Sequence, residues 1–156
     1  MAKRPTLSDP QLKHPRYWLT WLLLGLAWLT TQLPQRGRLR AGALVGIIGY
    51  RVANRRRNIT RVNLKLCFPE LNETELDEKT RQVFRSTGIG LIETATVWLT
   101  NPNRYRNQVK IHGLEHLQTP KNNQQGILLV GMHQATLDFS GAVLATYKPF
   151  DVMYKT

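Results

Sequence analysis

The sequence predicts an α/β fold in which an N-terminal membrane helix and a helical segment lead into the first strands of a sheet. Residues 17–33 carry no charge, as is typical of a membrane helix. Apolar residues recur at helical spacing between residues 76 and 95. The apolar run at residues 127–130 lies between two glycines, which is typical of a strand buried on both faces.

The uncharged segment at residues 17–33 predicts a membrane anchor helix, preceded by a basic segment at residues 1–16. It contains three of the four tryptophans, two of them at its start, where a membrane interface favours such side chains. Seventeen helical residues span about 25 Å, slightly less than a hydrocarbon core of ~30 Å. A short span, a tilted interfacial helix and a hydrophobic anchor therefore stay open, with a buried core helix as the alternative.

The positive charge of the chain is confined to its first part. Residues 1–69 contain 13 Lys or Arg and one acid, whereas residues 70–156 contain nine of each sign. Because this charge adjoins Trp- and Leu-rich segments, it indicates an anionic membrane surface rather than nucleic acid. Arg55, Arg57 and Arg61 are candidate ligands for lipid phosphate, since guanidinium groups bind phosphate bidentately. The alternative is a solvated basic face.

Two further helices are predicted after the anchor. The first covers about residues 43–66 and ends before Phe68, because a residue that precedes proline disfavours helical geometry. The second has about 24 residues, and either Asn72 with Glu75 or Thr74 with Asp77 would cap its start. Glu93 interrupts its largely apolar later part, so we expect either a structural partner such as an arginine or a place in the wall of an acceptor site.

The α/β part is predicted to begin near residue 108. Strands are expected at residues 108–112, 127–130 and 150–154, with a short helix at 114–118 and a polar loop at 119–125. The strand at 127–130 is followed by polar residues and then by a helix that starts near Ala135. This order places His133 at the carboxyl end of a strand, where open α/β sheets keep their ligand sites.

His133 and Asp138 are the candidate catalytic pair. Two residues five apart on one helix are separated by about 140° around its axis, so a contact requires His133 in the turn and Asp138 in the first helical turns. Asp138 would then fix the imidazole tautomer and increase its basicity. The alternative is a turn histidine beside a solvated aspartate. No metal-ligand cluster and no glycine-rich phosphate loop occur in the sequence, so no cofactor is expected.

Several separated blocks resemble those of a known enzyme family. They are residues 62–70 (VNLKLCFPE), 90–94 (GLIET) and 111–117 (IHGLEHL), followed by His133 and Asp138 in the order His, four residues, Asp. Together with an N-terminal apolar helix, these blocks resemble the late acyltransferases of bacterial lipid A biosynthesis. This is the lauroyl and myristoyl transferase family, within the lysophospholipid acyltransferase-like superfamily.

The resemblance implies an O-acyltransferase at the cytoplasmic face of the bacterial inner membrane. Acyl-acyl carrier protein would donate a lauroyl- or myristoyl-type chain to a hydroxyl group of a lipid A precursor. His133 would act as general base and Asp138 would orient it, while Gln134 would line the acyl-chain site. Family members often carry Glu at position 138 and Phe at position 134, so Gln134 puts a polar group where an apolar wall is usual.

The resemblance also implies that residues 34–156 are the N-terminal half of an acyltransferase domain. Enzymes of this family are nearly twice as long, and their oxyanion-stabilising groups are expected beyond Thr156. We therefore expect little or no activity from the 156 residues alone. A glycerolipid acyltransferase and a non-catalytic, membrane-anchored lipid-binding fragment are the alternatives.

Overall fold

The computed structural model describes residues 10–117 and 126–153, which fold as helices packed around one long central helix. The main helices of this part are, in chain order, α1 (Trp18–Thr31), α2 (Gln35–Val52), α3 (Asn54–Cys67), α4 (Glu73–Leu99) and α5 (Leu137–Tyr147). Short 3-10 helices cover Pro10–Lys13, Pro15–Tyr17 and Pro102–Gln108. Each of the other four helices contacts α4, so α4 organises the fold.

The predicted α/β fold is wrong, because the described residues contain no β-strand. Residues 126–134 have no regular structure, and neither do residues 109–111 and 149–153. A strand forms only by hydrogen bonding to a neighbouring strand, and an apolar run does not by itself provide that neighbour. The side chains of Leu128 and Val130 are accordingly 80% and 88% exposed. Residues 118–125, which include the whole of the predicted polar loop, and Tyr154 lie outside the described part.

The prediction of a membrane helix at residues 17–33 is also wrong. α1 has 14 residues and ends at Thr31, ahead of Gln32 and Pro34. Among the described residues, no helix combines the length and the apolar character that crossing a membrane requires. The helix is thus shorter than the uncharged segment at residues 17–33. Residues 1–9 of the predicted basic segment lie outside the described part.

The helical segment that was predicted as one helix at residues 43–66 consists of two. α2 begins directly after Pro34, whose fixed φ is compatible with a helix start, and ends at Val52. Ala53 then adopts φ −93° and ψ 61°, which breaks the helix before α3. α3 ends at Cys67, immediately before Phe68 and Pro69, so the predicted end of the segment is confirmed.

The start of α4 is fixed by a capping box. The Asn72 side chain accepts hydrogen bonds from the backbone N–H groups of Thr74 and Glu75, both at 3.0 Å. The Glu75 carboxylate accepts the backbone N–H of Asn72 at 2.9 Å. These reciprocal bonds satisfy N–H groups that have no partner within the helix. Of the two predicted caps, the one with Asn72 and Glu75 is therefore confirmed.

α2 and α4 cross backbone to backbone at three glycines. A Cβ atom added to Gly42 would lie 2.5 Å from the Cα atom of Ile89, and one added to Gly46 would meet the carbonyl oxygen of Phe84. A Cβ atom at Gly88 would meet the carbonyl oxygen of Gly42. No side chain fits into any of these contacts. The close crossing is therefore possible only because the three residues are glycines.

α5 is held against the C-terminal half of α4 and the 3-10 helix at Pro102–Gln108. Val143 on α5 is fully buried, and the rings of Phe139 and Tyr105 pack with their centroids 5.6 Å apart. The Tyr147 hydroxyl donates a hydrogen bond to the backbone carbonyl of Arg106 at 2.6 Å. These contacts bring the start of α5, and the turn before it, onto α4.

Candidate active site

His133 and Asp138 lie on either side of the start of α5. His133 belongs to the irregular segment before the turn at residues 135–136, and its side chain is exposed. Asp138 is in the first turn of α5, which begins at Leu137, two residues later than predicted. A carboxylate in the first turn interacts favourably with the helix dipole. The imidazole and the carboxylate are thus both presented at the N-terminal end of α5.

The structure does not join the two side chains by a hydrogen bond. In the described part of the chain, the polar contact of the Asp138 carboxylate is with Thr94 on α4, whose hydroxyl lies 3.4 Å from Oδ2. This is a long separation for an O–H···O hydrogen bond. Gln134, the adjacent candidate, is exposed, and its backbone carbonyl accepts the N–H of Leu137 at 3.2 Å. Sequence reasoning did not identify Thr94, since nothing local links positions 94 and 138.

A small cavity of about 90 Å³ lies between α2, α4, α5 and the 3-10 helix at Pro102–Gln108. Polar groups from three of these elements line it: Arg38 from α2, Glu93 and Thr96 from α4, and Tyr105 from the 3-10 helix. Phe139, which directly follows Asp138, forms part of the same wall. The cavity is therefore adjacent to the start of α5.

Glu93 is the unusual group in this cavity. Its Oε2 atom is buried and has no hydrogen-bond partner among the described residues. The guanidinium of Arg38 instead donates to the hydroxyl of Tyr105 at 2.9 Å and lies over its ring. Burial raises the pKa of the Glu93 carboxyl, and the positive charge of Arg38 offsets part of this increase. Arg38 is thus the arginine that was expected near Glu93, but its guanidinium donates its hydrogen bond to Tyr105 and not to Glu93.

The raised pKa of Glu93 predicts a pH-dependent stability. Above the ordinary Glu pKa of 4.5, the folded protein holds this proton more tightly than the unfolded chain does. The contribution of Glu93 to the free energy of unfolding should therefore fall as the pH rises from 4.5 through its folded-state pKa. Glu93→Gln removes this contribution, so its melting temperature relative to wild type should increase with pH when both are followed by circular dichroism.

The matched control for this measurement is Glu70→Gln, because Glu70 is exposed. Its melting temperature relative to wild type should not vary with pH in the same way. A Glu93→Gln variant whose difference from wild type is constant between pH 4.5 and 7.5 would contradict the assignment of a raised pKa.

The three candidate phosphate-binding arginines of α3 differ in their surroundings. Arg61 forms ion pairs with Glu73 at 2.5 Å and with Asp77 at 3.4 Å, both on α4. Arg57 donates to the backbone carbonyl of Tyr50 and to the side chain of Asn54, each at 2.9 Å. Arg55 is exposed and makes no hydrogen bond or ion pair with another described residue.

A polar cluster surrounds Arg61 at the N-terminal end of α4. The Tyr50 hydroxyl donates a hydrogen bond to Asp77, and Arg81 donates to the other carboxylate oxygen at 2.9 Å. The hydrogen bond from Tyr50, followed by that from Arg81, lowers the pKa of Asp77. Asp77 therefore stays ionised and neutralises part of the charge of Arg61. The predicted phosphate-binding role is better suited to Arg55 than to Arg57 or Arg61.

The structure does not bring the α3 arginines together with His133. Arg61 is paired to the N-terminal end of α4 at Asp77, whereas the turn after His133 packs on α4 at Gly90. Thirteen helical residues separate these two points of α4, which corresponds to about 20 Å. If both groups bind one substrate, that substrate has to extend along α4.

Comparison with known protein families shows to which family this chain belongs. The family model described as bacterial lipid A biosynthesis acyltransferase matches residues 6–156. The chain belongs to this family. The resemblance that the sequence blocks indicated is thereby confirmed, and the lipid A acyltransferase family is one of enzymes.

Curated relatives agree with the lipid A acyltransferase assignment. The chain is 38% identical to a lipid A biosynthesis lauroyltransferase of Escherichia coli (strain K12) over 155 residues, 99% of this chain and 50% of that protein. It is 35% identical over 142 residues to the palmitoleoyltransferase of the same strain, covering 91% of this chain and 46% of the relative. A lipid A biosynthesis acyltransferase of Haemophilus influenzae is 32% identical over 149 residues.

The chain spans about half the length of the curated relatives that it matches. No solved structure matches it.

Proposed function

We propose that the protein transfers a fatty acyl group from acyl-acyl carrier protein to a hydroxyl group of a lipid A precursor. The observation that carries this proposal is the exposed His133 directly before α5, with the carboxylate of Asp138 in the first turn of the helix. In a chain of the lipid A acyltransferase family, this is a suitable position for a general base, because solvent and substrate can reach the imidazole.

His133 would remove the proton of the acceptor hydroxyl as its oxygen attacks the thioester carbonyl carbon of the donor. A new ester C–O bond forms and the C–S bond breaks, and the proton on the imidazole passes to the departing thiolate. Asp138 stabilises the imidazolium that forms between these steps. Catalytic hydrogen bonds often shorten only when substrate is bound, so the absence of a direct contact is compatible with this role.

The acceptor is a lipid, and α1 offers a surface that suits a membrane interface. Seven large apolar side chains of this helix are at least half exposed: Trp18, Leu19, Leu22, Leu23, Leu26, Trp28 and Leu29. We call this set the apolar face of α1. Three arginines on either side of the break between α2 and α3 are also exposed, namely Arg51, Arg55 and Arg56. We infer interfacial binding at the cytoplasmic face of the inner membrane, with these arginines on anionic headgroups.

Binding to anionic membranes is expected to depend on the charges of these three arginines in particular. Each basic residue near an anionic surface contributes about 1 kcal/mol at low salt. Replacing Arg51, Arg55 and Arg56 together with Gln should therefore weaken binding to phosphatidylglycerol-containing vesicles by about 10²-fold. Cosedimentation with vesicles at low and high salt measures this effect, which should shrink as salt rises.

The matched control removes the same charge elsewhere. Lys79, Arg104 and Lys110 are exposed, and replacing all three with Gln changes the net charge equally. Vesicle binding of this control should fall far less. Equal losses in the two triple variants would mean that the total charge, rather than these three arginines, governs binding.

An acyl-transfer assay tests the proposed reaction. The protein, expressed from its complete reading frame, is incubated with radiolabelled acyl-acyl carrier protein and either a tetraacylated lipid A precursor or a lysophospholipid. Transfer to the lipid A precursor is expected, with little transfer to the lysophospholipid. Preference for the lysophospholipid would favour a glycerolipid acyltransferase. Vesicle binding without any turnover would favour a non-catalytic lipid-binding protein and would overturn the proposal.

A further inference from the structure

The turn that follows His133 rests directly on the backbone of α4 at Gly90. Gly90 is buried, and a Cβ atom added to it would lie 2.5 Å from the carbonyl oxygen of Ala135 and 2.9 Å from its Cβ atom. Ordinary contacts of a Cβ atom begin at 3.4 Å. Any side chain at position 90 would therefore push the turn away from α4 by about 1 Å.

One helical turn later, the same face of α4 meets the candidate pair again. Gly90 and Thr94 are four residues apart and thus lie on one face of the helix. Thr94 places its hydroxyl 3.4 Å from the Asp138 carboxylate. One face of α4 thus touches the chain two residues after His133 and also at Asp138.

The two glycines nearest to His133 in the sequence make no such close approach. Gly126, at the start of the segment that leads to His133, has nothing within 4 Å of an added Cβ atom. At Gly131 an added Cβ atom would be 3.7 Å from the side chain of Leu137, which is an ordinary contact. Neither of these glycines restricts the distance between the turn and another element.

We propose that Gly90 is a positioning residue for His133, with Thr94 as a second positioning residue that orients Asp138. The absent side chain at position 90 sets the distance of the His133 turn from α4, and hence the place of the imidazole relative to the carboxylate. This inference rests on the proposed function. Under this proposal, α4 positions His133 and Asp138, although neither residue belongs to α4.

Misplacing a catalytic group by about 1 Å can cost roughly 10²-fold in rate. Gly90→Ala is therefore expected to lower kcat for acyl transfer by about 10²-fold while KM changes less than threefold, because the substrate surfaces remain. Thr94→Val, which keeps the shape but loses the hydroxyl, should lower kcat by a smaller factor. Thr94→Ser retains the hydroxyl and should restore the rate to near that of wild type.

A second measurement does not depend on turnover. In protein labelled with ¹³C at histidine, the His133 imidazole signal is identified by its loss in His133→Gln. Gly90→Ala should shift this signal, while the signals of His112 and His116 stay in place. Gly126→Ala is the matched control and should leave both the His133 signal and kcat unchanged.

The two readouts separate the positioning role from the reaction. An unchanged His133 signal and an unchanged kcat in Gly90→Ala would overturn the proposal. A shifted signal in a protein whose wild type transfers no acyl group would reject the proposed function but support the positioning of His133. If Gly90→Ala does not fold, the Thr94 variants decide: equal rates in Thr94→Val and Thr94→Ser would refute the role of α4 at Asp138.

Discussion

His133→Ala is expected to lower kcat for acyl transfer by about 10²–10⁴-fold, the usual contribution of a general base. The side chain is exposed and makes no hydrogen bond with another described residue, so its removal should leave the melting temperature within a few degrees of wild type. The measurement is the initial rate with labelled acyl-acyl carrier protein, for the protein expressed from its complete reading frame.

Asp138→Asn should give a rate between those of wild type and His133→Ala. Asparagine keeps the shape of the side chain but loses the charge that would stabilise the imidazolium. His112→Ala, which removes another exposed histidine, is the matched control and should retain the wild-type rate. Full activity of His133→Ala in purified protein, with host enzyme excluded, would refute the assignment of the general base.

Gly88→Ala is expected to produce the largest loss of stability among single methyl additions to this chain. The new Cβ atom would collide with the carbonyl oxygen of Gly42 and with the backbone of Gly46. Because these are backbone atoms, α2 and α4 would have to separate, and overpacking of this kind costs about 1–3 kcal/mol. The better helix propensity of alanine, about 1 kcal/mol, offsets only part of this cost.

Gly25→Ala is the matched control for the same chemical change. Gly25 lies in the middle of α1, and a Cβ atom there would have nothing within 4 Å. Only the helix propensity acts, so this variant should be stabilised by up to about 1 kcal/mol. Opposite signs of the two shifts in melting temperature are expected in thermal denaturation. Shifts of the same sign would mean that the α2–α4 crossing tolerates a side chain.

The features that were predicted correctly depend on residues close together in the sequence. Asn72 and Glu75 cap α4 through bonds that span three positions. The end of α3 follows from the dipeptide Phe68–Pro69, whose effect is also local. Family membership was also predicted correctly, because it is indicated by short sequence blocks in a fixed order.

The features that were missed depend on residues far apart. The strands failed because pairing needs a second segment that an apolar run does not specify. Arg38 and Tyr105 are 67 positions apart, and their hydrogen bond leaves Glu93 without the expected partner. The supports of the candidate pair, Gly90 and Thr94, lie 44 or more positions from the residues they contact. No local pattern could have predicted these contacts.

The backbone crossing of α2 and α4 has a mechanical consequence for the cavity that lies between the two helices. Packed helices usually slide past each other by changing side-chain rotamers at their interface. Gly42, Gly46 and Gly88 have no rotamers, so this interface cannot yield in that way. We therefore expect the crossing to keep Arg38 and Glu93, on either side of it, at a nearly constant separation. A ligand that binds between them would then have to adapt its own shape.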